Sequence, residues 1–116
     1  MIIELSRENE FVPEWNGNRT RTDEDQIVIV WQYPTSKQQS EIMPMKLVNG
    51  VSEVNLNYDM LVKKCVIEIK NLSTSDGRKI KTGIDLTSVP KAGGLCEEIA
   101  LHILTAMNEL DIDKKK

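Results

Sequence analysis

A chain of 116 residues has room for one hydrophobic core and not for two. Hydrophobic residues make up 40% and charged residues 28%, which suits a modest core under a solvated surface, and no run approaches the roughly 20 apolar residues that cross a bilayer. Fifteen Lys and Arg against eighteen Asp and Glu give a formal charge of -3, which offers a nucleic acid little net attraction.

Ile2 to Leu5 reads as a short edge strand. The same segment turns acidic where a secretory leader would hold its apolar stretch, so the chain is expected in the cytoplasm. Residues 7–25 read as a long polar loop punctuated by Pro13 and Asn16-Gly17-Asn18, an Asn-Gly pair being at home in a tight turn because both residues tolerate positive φ. Gln26 to Tyr33 is the clearest strand, β-branched and aromatic throughout, and its lack of clean alternation predicts cover on both faces.

Pro34-Thr35-Ser36-Lys37-Gln38 reads as a helix start, with Thr35 and Gln38 spaced for a capping box. That helix must be short, since Pro44 follows, and Met45 to Val48 is a brief strand closed by Asn49-Gly50. From Asn57 to Leu72 the apolar residues Tyr58, Leu61, Val62, Cys65, Ile69 and Leu72 keep helical spacing. Cys65 to Ile69 alone would suit a strand, but sixteen residues without a breaker exceed ordinary strand length, so a helix over about 57–72 is expected. Ser73 to Gly77 is a turn, Arg78 to Thr82 a small extended arm, and Gly83 to Gly94 a loop. The last helix, about 95–110, carries Leu95, Ile99, Ile103, Ala106, Met107 and Leu110 on one face. Residues 111–116 read as a polar, frayed tail. The expected fold is therefore α+β: a single compact domain over 1–110, with a small N-terminal β-element packed against two main helices and one short one.

Catalytic and metal-binding chemistry finds few residues to use. His102 is the only histidine and flanks the apolar stripe of the last helix, which fits a boundary residue better than a general base. Cys65, Cys96 and His102 together fall short of the four ligands of a structural zinc site. The two cysteines lie in apolar stretches, where a free thiol behaves as a small hydrophobe. No calcium loop or phosphate-binding glycine motif is present, and Gly93-Gly94 reads as a joint that lets the last helix dock. The expectation is a protein that is not an enzyme and has no cofactor.

Aromatic residues number five, and Phe11, Trp15, Trp31 and Tyr33 fall within 11–33. Either they form the core beneath the strand or some are exposed as anchors. Trp31 and Tyr33 share a strand face, and Trp15 lies in the loop, folded over its own core or offered to a partner. Because Trp, Tyr and Arg dominate binding hot spots, the candidate partner-binding residues are Trp15, Arg19, Trp31 and Tyr33, with the acidic run Asp23, Glu24 and Asp25. The charge is uneven: residues 46–91 hold eight bases and five acids, a bias that suits an acidic protein surface as well as a phosphate. A plain solvated face is the first expectation for this segment; nucleic-acid binding through Lys63, Lys64, Lys70, Arg78, Lys79 and Lys81 is a further one, and it would predict affinity that falls steeply with salt.

In its order of elements the chain resembles small proteins encoded in the tail-gene region of long-tailed bacteriophages and prophages, including tail-assembly chaperones. The likeness is carried by Phe11-Val12-Pro13-Glu14-Trp15-Asn16-Gly17-Asn18, by the strand with Pro34-Thr35-Ser36, by Cys65-Val66-Ile67-Glu68-Ile69-Lys70-Asn71-Leu72, and by the closing Leu95-Cys96-Glu97-Glu98-Ile99. Many such chaperones are strongly helical, whereas Ile27 to Tyr33 looks firmly β. The resemblance implies a non-enzymatic protein of virion assembly that touches tail tube or tape-measure subunits in the host cytoplasm, with a place in the virion and self-association both left open. The rival expectation is a phage-encoded inhibitor of a host defence system or enzyme, presenting Glu14, Asp23, Glu24 and Asp25 to its target.

Overall fold

The computed structural model describes residues 1–2, 8–43, 45–54 and 57–114. Among them a three-stranded antiparallel sheet is built from β1 (Asn9–Phe11), β2 (Val28–Trp31) and β5 (Val66–Lys70), with β2 in the centre. A separate two-stranded hairpin joins β3 (Met45–Val48) to β4 (Val51–Val54). Five helices complete the described chain: a 3₁₀ segment at Trp15–Thr20, α1 (Ser36–Ile42), α2 (Tyr58–Cys65), α3 (Gly83–Thr87) and α4 (Gly93–Lys114). The α+β expectation holds. The edge strand expected from Ile2 to Leu5 falls, beyond Ile2, outside the described residues.

β2 forms where the β-branched run predicts it, and cover on both faces is as expected, since the successive residues Ile29, Val30 and Trp31 point to alternate faces and are all buried. α1 begins with the capping box read from the sequence, the Thr35 hydroxyl accepting from Gln38 N–H while Gln38 Oε1 accepts from Thr35 N–H. The Asn49-Gly50 turn closes the hairpin with both residues at positive φ, the geometry that matches strand twist.

The helix expected over 57–72 stops halfway. Asn57 caps it as expected, accepting from Met60 N–H at 3.0 Å, but α2 ends at Cys65 and the chain passes directly into β5. The open edge of β2 accounts for the difference, since Val66–Lys70 supplies a third strand and satisfies the backbone groups of β2. Pairing runs Ile29 to Ile69 and Val30 to Glu68, then jumps to Trp31 with Val66, leaving Ile67 as a bulged extra residue. The bulge turns Val66 and Ile69, three positions apart, to the same buried side, and that spacing imitates a helical stripe.

Three further departures concern the loops. The expected 7–25 loop contains β1 and the 3₁₀ segment, with Asn16 and Gly17 at positive φ inside it. The expected 83–94 loop contains α3, capped by Thr82, whose hydroxyl accepts from Asp85 N–H. α4 runs through Lys114, so the tail expected from residue 111 is helical as far as it is described; no Gly or Pro intervenes to stop it.

The core lies where α2, α3 and α4 meet the sheet. Leu61, Val62, Leu86, Leu95, Ile99 and Ile103 are fully enclosed there, beside Ile29 of β2. The arm at 78–82 is extended as expected and lies along β5, with Ile80 N–H donating to Leu72 O and Ile69 N–H to Lys81 O.

Candidate functional site

The residues singled out for partner binding separate into three places. Trp31 is in the core, 2% exposed, and this removes it from any contact surface. Tyr33 packs edge-on against it, with ring centroids 4.9 Å apart. His102 joins the same cluster, stacked on Phe11 at 4.0 Å and edge-on to Trp31 at 5.6 Å. The aromatic concentration in residues 11–33 is thus mainly core, and the lone imidazole is held within it.

Arg19 and the acidic run are at the surface. Arg19 Nε donates to Val12 O at 2.9 Å, and its guanidinium pairs with Glu14 at 2.5 Å, so this cation braces its own loop. Asp23, Glu24 and Asp25 lie on an exposed turn, where Asp25 accepts from the Thr22 hydroxyl.

Trp15 takes a different position, half-buried against the core at the mouth of a groove of about 450 Å³. That volume falls in the roughly 300–1,000 Å³ range of ligand clefts. The loop carrying Trp15 is fixed at two points. The Glu98 carboxylate, from α4, accepts from Glu14 N–H at 2.7 Å and from Trp15 N–H at 3.0 Å. Asn18 is fully buried and spans the loop's ends: its amide donates to Pro13 O and Ile27 O, and its Oδ1 accepts from Ile27 N–H at 2.6 Å. The indole lies against the first turn of α4, where a Cβ on Gly94 would meet Trp15 Nε1 at 3.5 Å, an ordinary contact distance.

The groove floor is apolar: Leu72, Val89 and Pro90 are accessible in it, over the enclosed Ile80, Leu86 and Leu95. Its polar lining consists of the half-buried Thr74 and the exposed Asp76, Arg78 and Lys91. Asp76 is occupied within its own turn, accepting from the Thr74 hydroxyl and from Arg78 N–H. The Thr74 hydrogen bond, then that backbone N–H, then the nearby Arg78 guanidinium hold its carboxyl below the usual aspartate value. Asp85 is similarly engaged, accepting from Lys81 N–H at 3.1 Å. The cations are not: among the described residues Arg78, Lys79, Lys81 and Lys91 form no ion pair, whereas Lys64 is bound to Glu41 at 3.2 Å and Lys70 reaches Glu10 at 4.0 Å.

The reactive residue types lie away from this groove. Cys65 and Cys96 are free and buried. Burial pushes the Cys65 thiol up to about 11, and burial, with Asp59 nearby, raises Cys96 as well; neither is a ready thiolate at neutral pH. Among the described residues no three His, Cys, Asp or Glu side chains gather as metal ligands would, and no helix is long and apolar enough to cross a membrane.

Sequence reasoning missed the groove because its sides come from three separate segments. Ser73–Gly77 and the stretch around Pro90 appeared as turns, and Arg78, Lys79 and Lys81 as cations of a phosphate-binding reading. Nothing in the order of residues says that Trp15 closes the space between them. Compared with protein-family models, with curated proteins and with solved structures, the chain finds no match.

Proposed function

We propose that this protein works by protein–protein contact, without catalysis, in the assembly of a bacteriophage or prophage tail, and that the groove beside Trp15 is its contact surface. The observation that carries the contact reading is the groove: an apolar floor, a half-exposed tryptophan at the mouth and unpaired cations on the rim. A partially covered aromatic beside arginine is the composition of an interface hot spot. His102 stacked in the core and two thiols with raised pKa are consistent with a chain that performs no bond chemistry. The tail assignment rests on the resemblance over residues 11–110, and its partners would be tail tube or tape-measure subunits met in the host cytoplasm.

Co-expression with the tail tube and tape-measure proteins encoded in the same gene cluster tests this reading. A complex that survives size-exclusion chromatography with one of them is the expected result. Failure to bind either, together with specific capture of a host enzyme from uninfected extract, would replace it with the inhibitor reading, for which the exposed turn at Asp23, Glu24 and Asp25 provides the acidic surface.

A further inference from the structure

Resting on that contact reading, we propose that the groove receives an acidic, extended segment of a partner protein, one large apolar side chain of which inserts beside Trp15 while flanking carboxylates meet Arg78 and Lys91. Charge complementarity selects this occupant. Around the groove and the depressions beside it, the cations Lys70, Arg78, Lys79, Lys81 and Lys91 outnumber the carboxylates Glu68, Asp76 and Asp85, so this face carries a net positive charge although each acid keeps its own. In a chain of net charge -3, such a local excess is a feature of this face and not of the whole surface.

The floor defines the remainder. The accessible apolar lining, Leu72, Val89 and Pro90 beside Trp15, rewards burial of an aliphatic or aromatic side chain at about 25 cal/mol per Å². Two further depressions adjoin the groove along the arm and share Ile80 with it; Lys79 borders both, with Lys70, Lys81 and Glu68 on one and Arg78 and Asp85 on the other. A cationic track of this kind follows an extended peptide, with alternate side chains turned toward the surface. A single-stranded nucleic acid fits less well, because sequence-tolerant binding needs successive aromatic platforms. Here Trp15 stands alone over an aliphatic floor, and Lys64 and Lys70 are engaged by Glu41 and Glu10.

Fluorescence anisotropy with a labelled octapeptide, Glu-Asp-Glu-Leu-Phe-Glu-Asp-Glu, tests the proposal on the full chain. Three other probes serve as comparisons: its Gln/Asn counterpart, a counterpart with Ala-Ala in place of Leu-Phe, and a short oligothymidylate. Micromolar binding of the acidic probe is expected, weakened by about tenfold in either peptide counterpart and by about thirtyfold or more in Trp15→Ala, the loss typical of a hot-spot anchor. The double variant Arg78→Glu/Lys91→Glu changes only exposed side chains and should fold normally by circular dichroism. It should abolish binding of the acidic probe, and Arg78→Gln/Lys91→Gln should fall between it and the unaltered protein. Equal affinity for acidic and neutral peptides, tighter binding of the oligonucleotide, or full affinity in the charge-reversed protein would each overturn the proposal. A tail-protein complex that forms undiminished with the charge-reversed variant would reject this groove while leaving the contact function standing; absence of any complex with the unaltered protein would reject the function itself.

Discussion

Asn18 shows how much one polar side chain can fix. It was legible only as part of a turn signal, since Asn-Gly-Asn announces positive φ without saying which residue points inward. In the structure Asn16 and Gly17 take the positive φ, and that reversal turns Asn18 beneath the loop, where it binds both ends. Replacement by Ala would leave Pro13 O, Ile27 O and Ile27 N–H without their side-chain partner in a buried setting. Buried backbone groups stripped of partners cost about 1–3 kcal/mol each, so Asn18→Ala should destabilise the fold by about 3 kcal/mol. Urea titration checks it; a loss below about 1 kcal/mol would mean that water substitutes for the amide. Glu98 acts similarly from a distance, and nothing local in the sequence marks it, because its two N–H donors lie in a loop more than eighty positions earlier.

At the level of elements, features governed by nearby residues were readable and features governed by pairing were not. The capping box of α1, the Asn57 cap and the apolar stripe of α4 each depend on a few neighbouring side chains. The end of α2 depends instead on β2, which lies far away in the chain and recruits Val66–Lys70 as a third strand. The bulge at Ile67 then disguised the strand by spacing its buried residues as a helix would. α3 was hidden for a related reason: five residues opened by Gly carry little intrinsic helix preference, and packing on α2 holds them. At Gly83 the two helices approach closely, since a Cβ there would lie 2.2 Å from Val62 O and 2.9 Å from its carbonyl carbon. That obstacle is backbone and cannot move aside by a rotamer change. Gly83→Ala should therefore cost about 2–3 kcal/mol in spite of alanine's better helix propensity, read as a lowered Tm; a neutral or stabilising effect would show that α3 is free to shift.

For the molecule as a whole, extension is the informative property. A compact chain of this length has a radius of gyration of roughly 13 Å, whereas the Cα trace gives 15.9 Å with extents of 49 × 37 × 21 Å. Two features contribute to the difference. The β3–β4 hairpin packs chiefly on itself, and α4 continues about 10 Å past Met107, the last described side chain on it that touches the core. Small-angle scattering from a monodisperse solution should give a radius near or slightly above 15.9 Å; a value close to the compact figure would mean that the hairpin folds back. A thin body offers much surface for its mass, which suits a protein that acts through its faces.

The double tether on the Trp15 loop bears on kinetics. With Glu98 holding its backbone and Asn18 closing its base, the indole is set in place before anything arrives, so recognition begins from a preorganised wall and little chain entropy is lost on complex formation. Loosening either tether would then leave every contacting atom in the groove intact and still weaken association, because the aromatic wall would have to be ordered anew at each encounter.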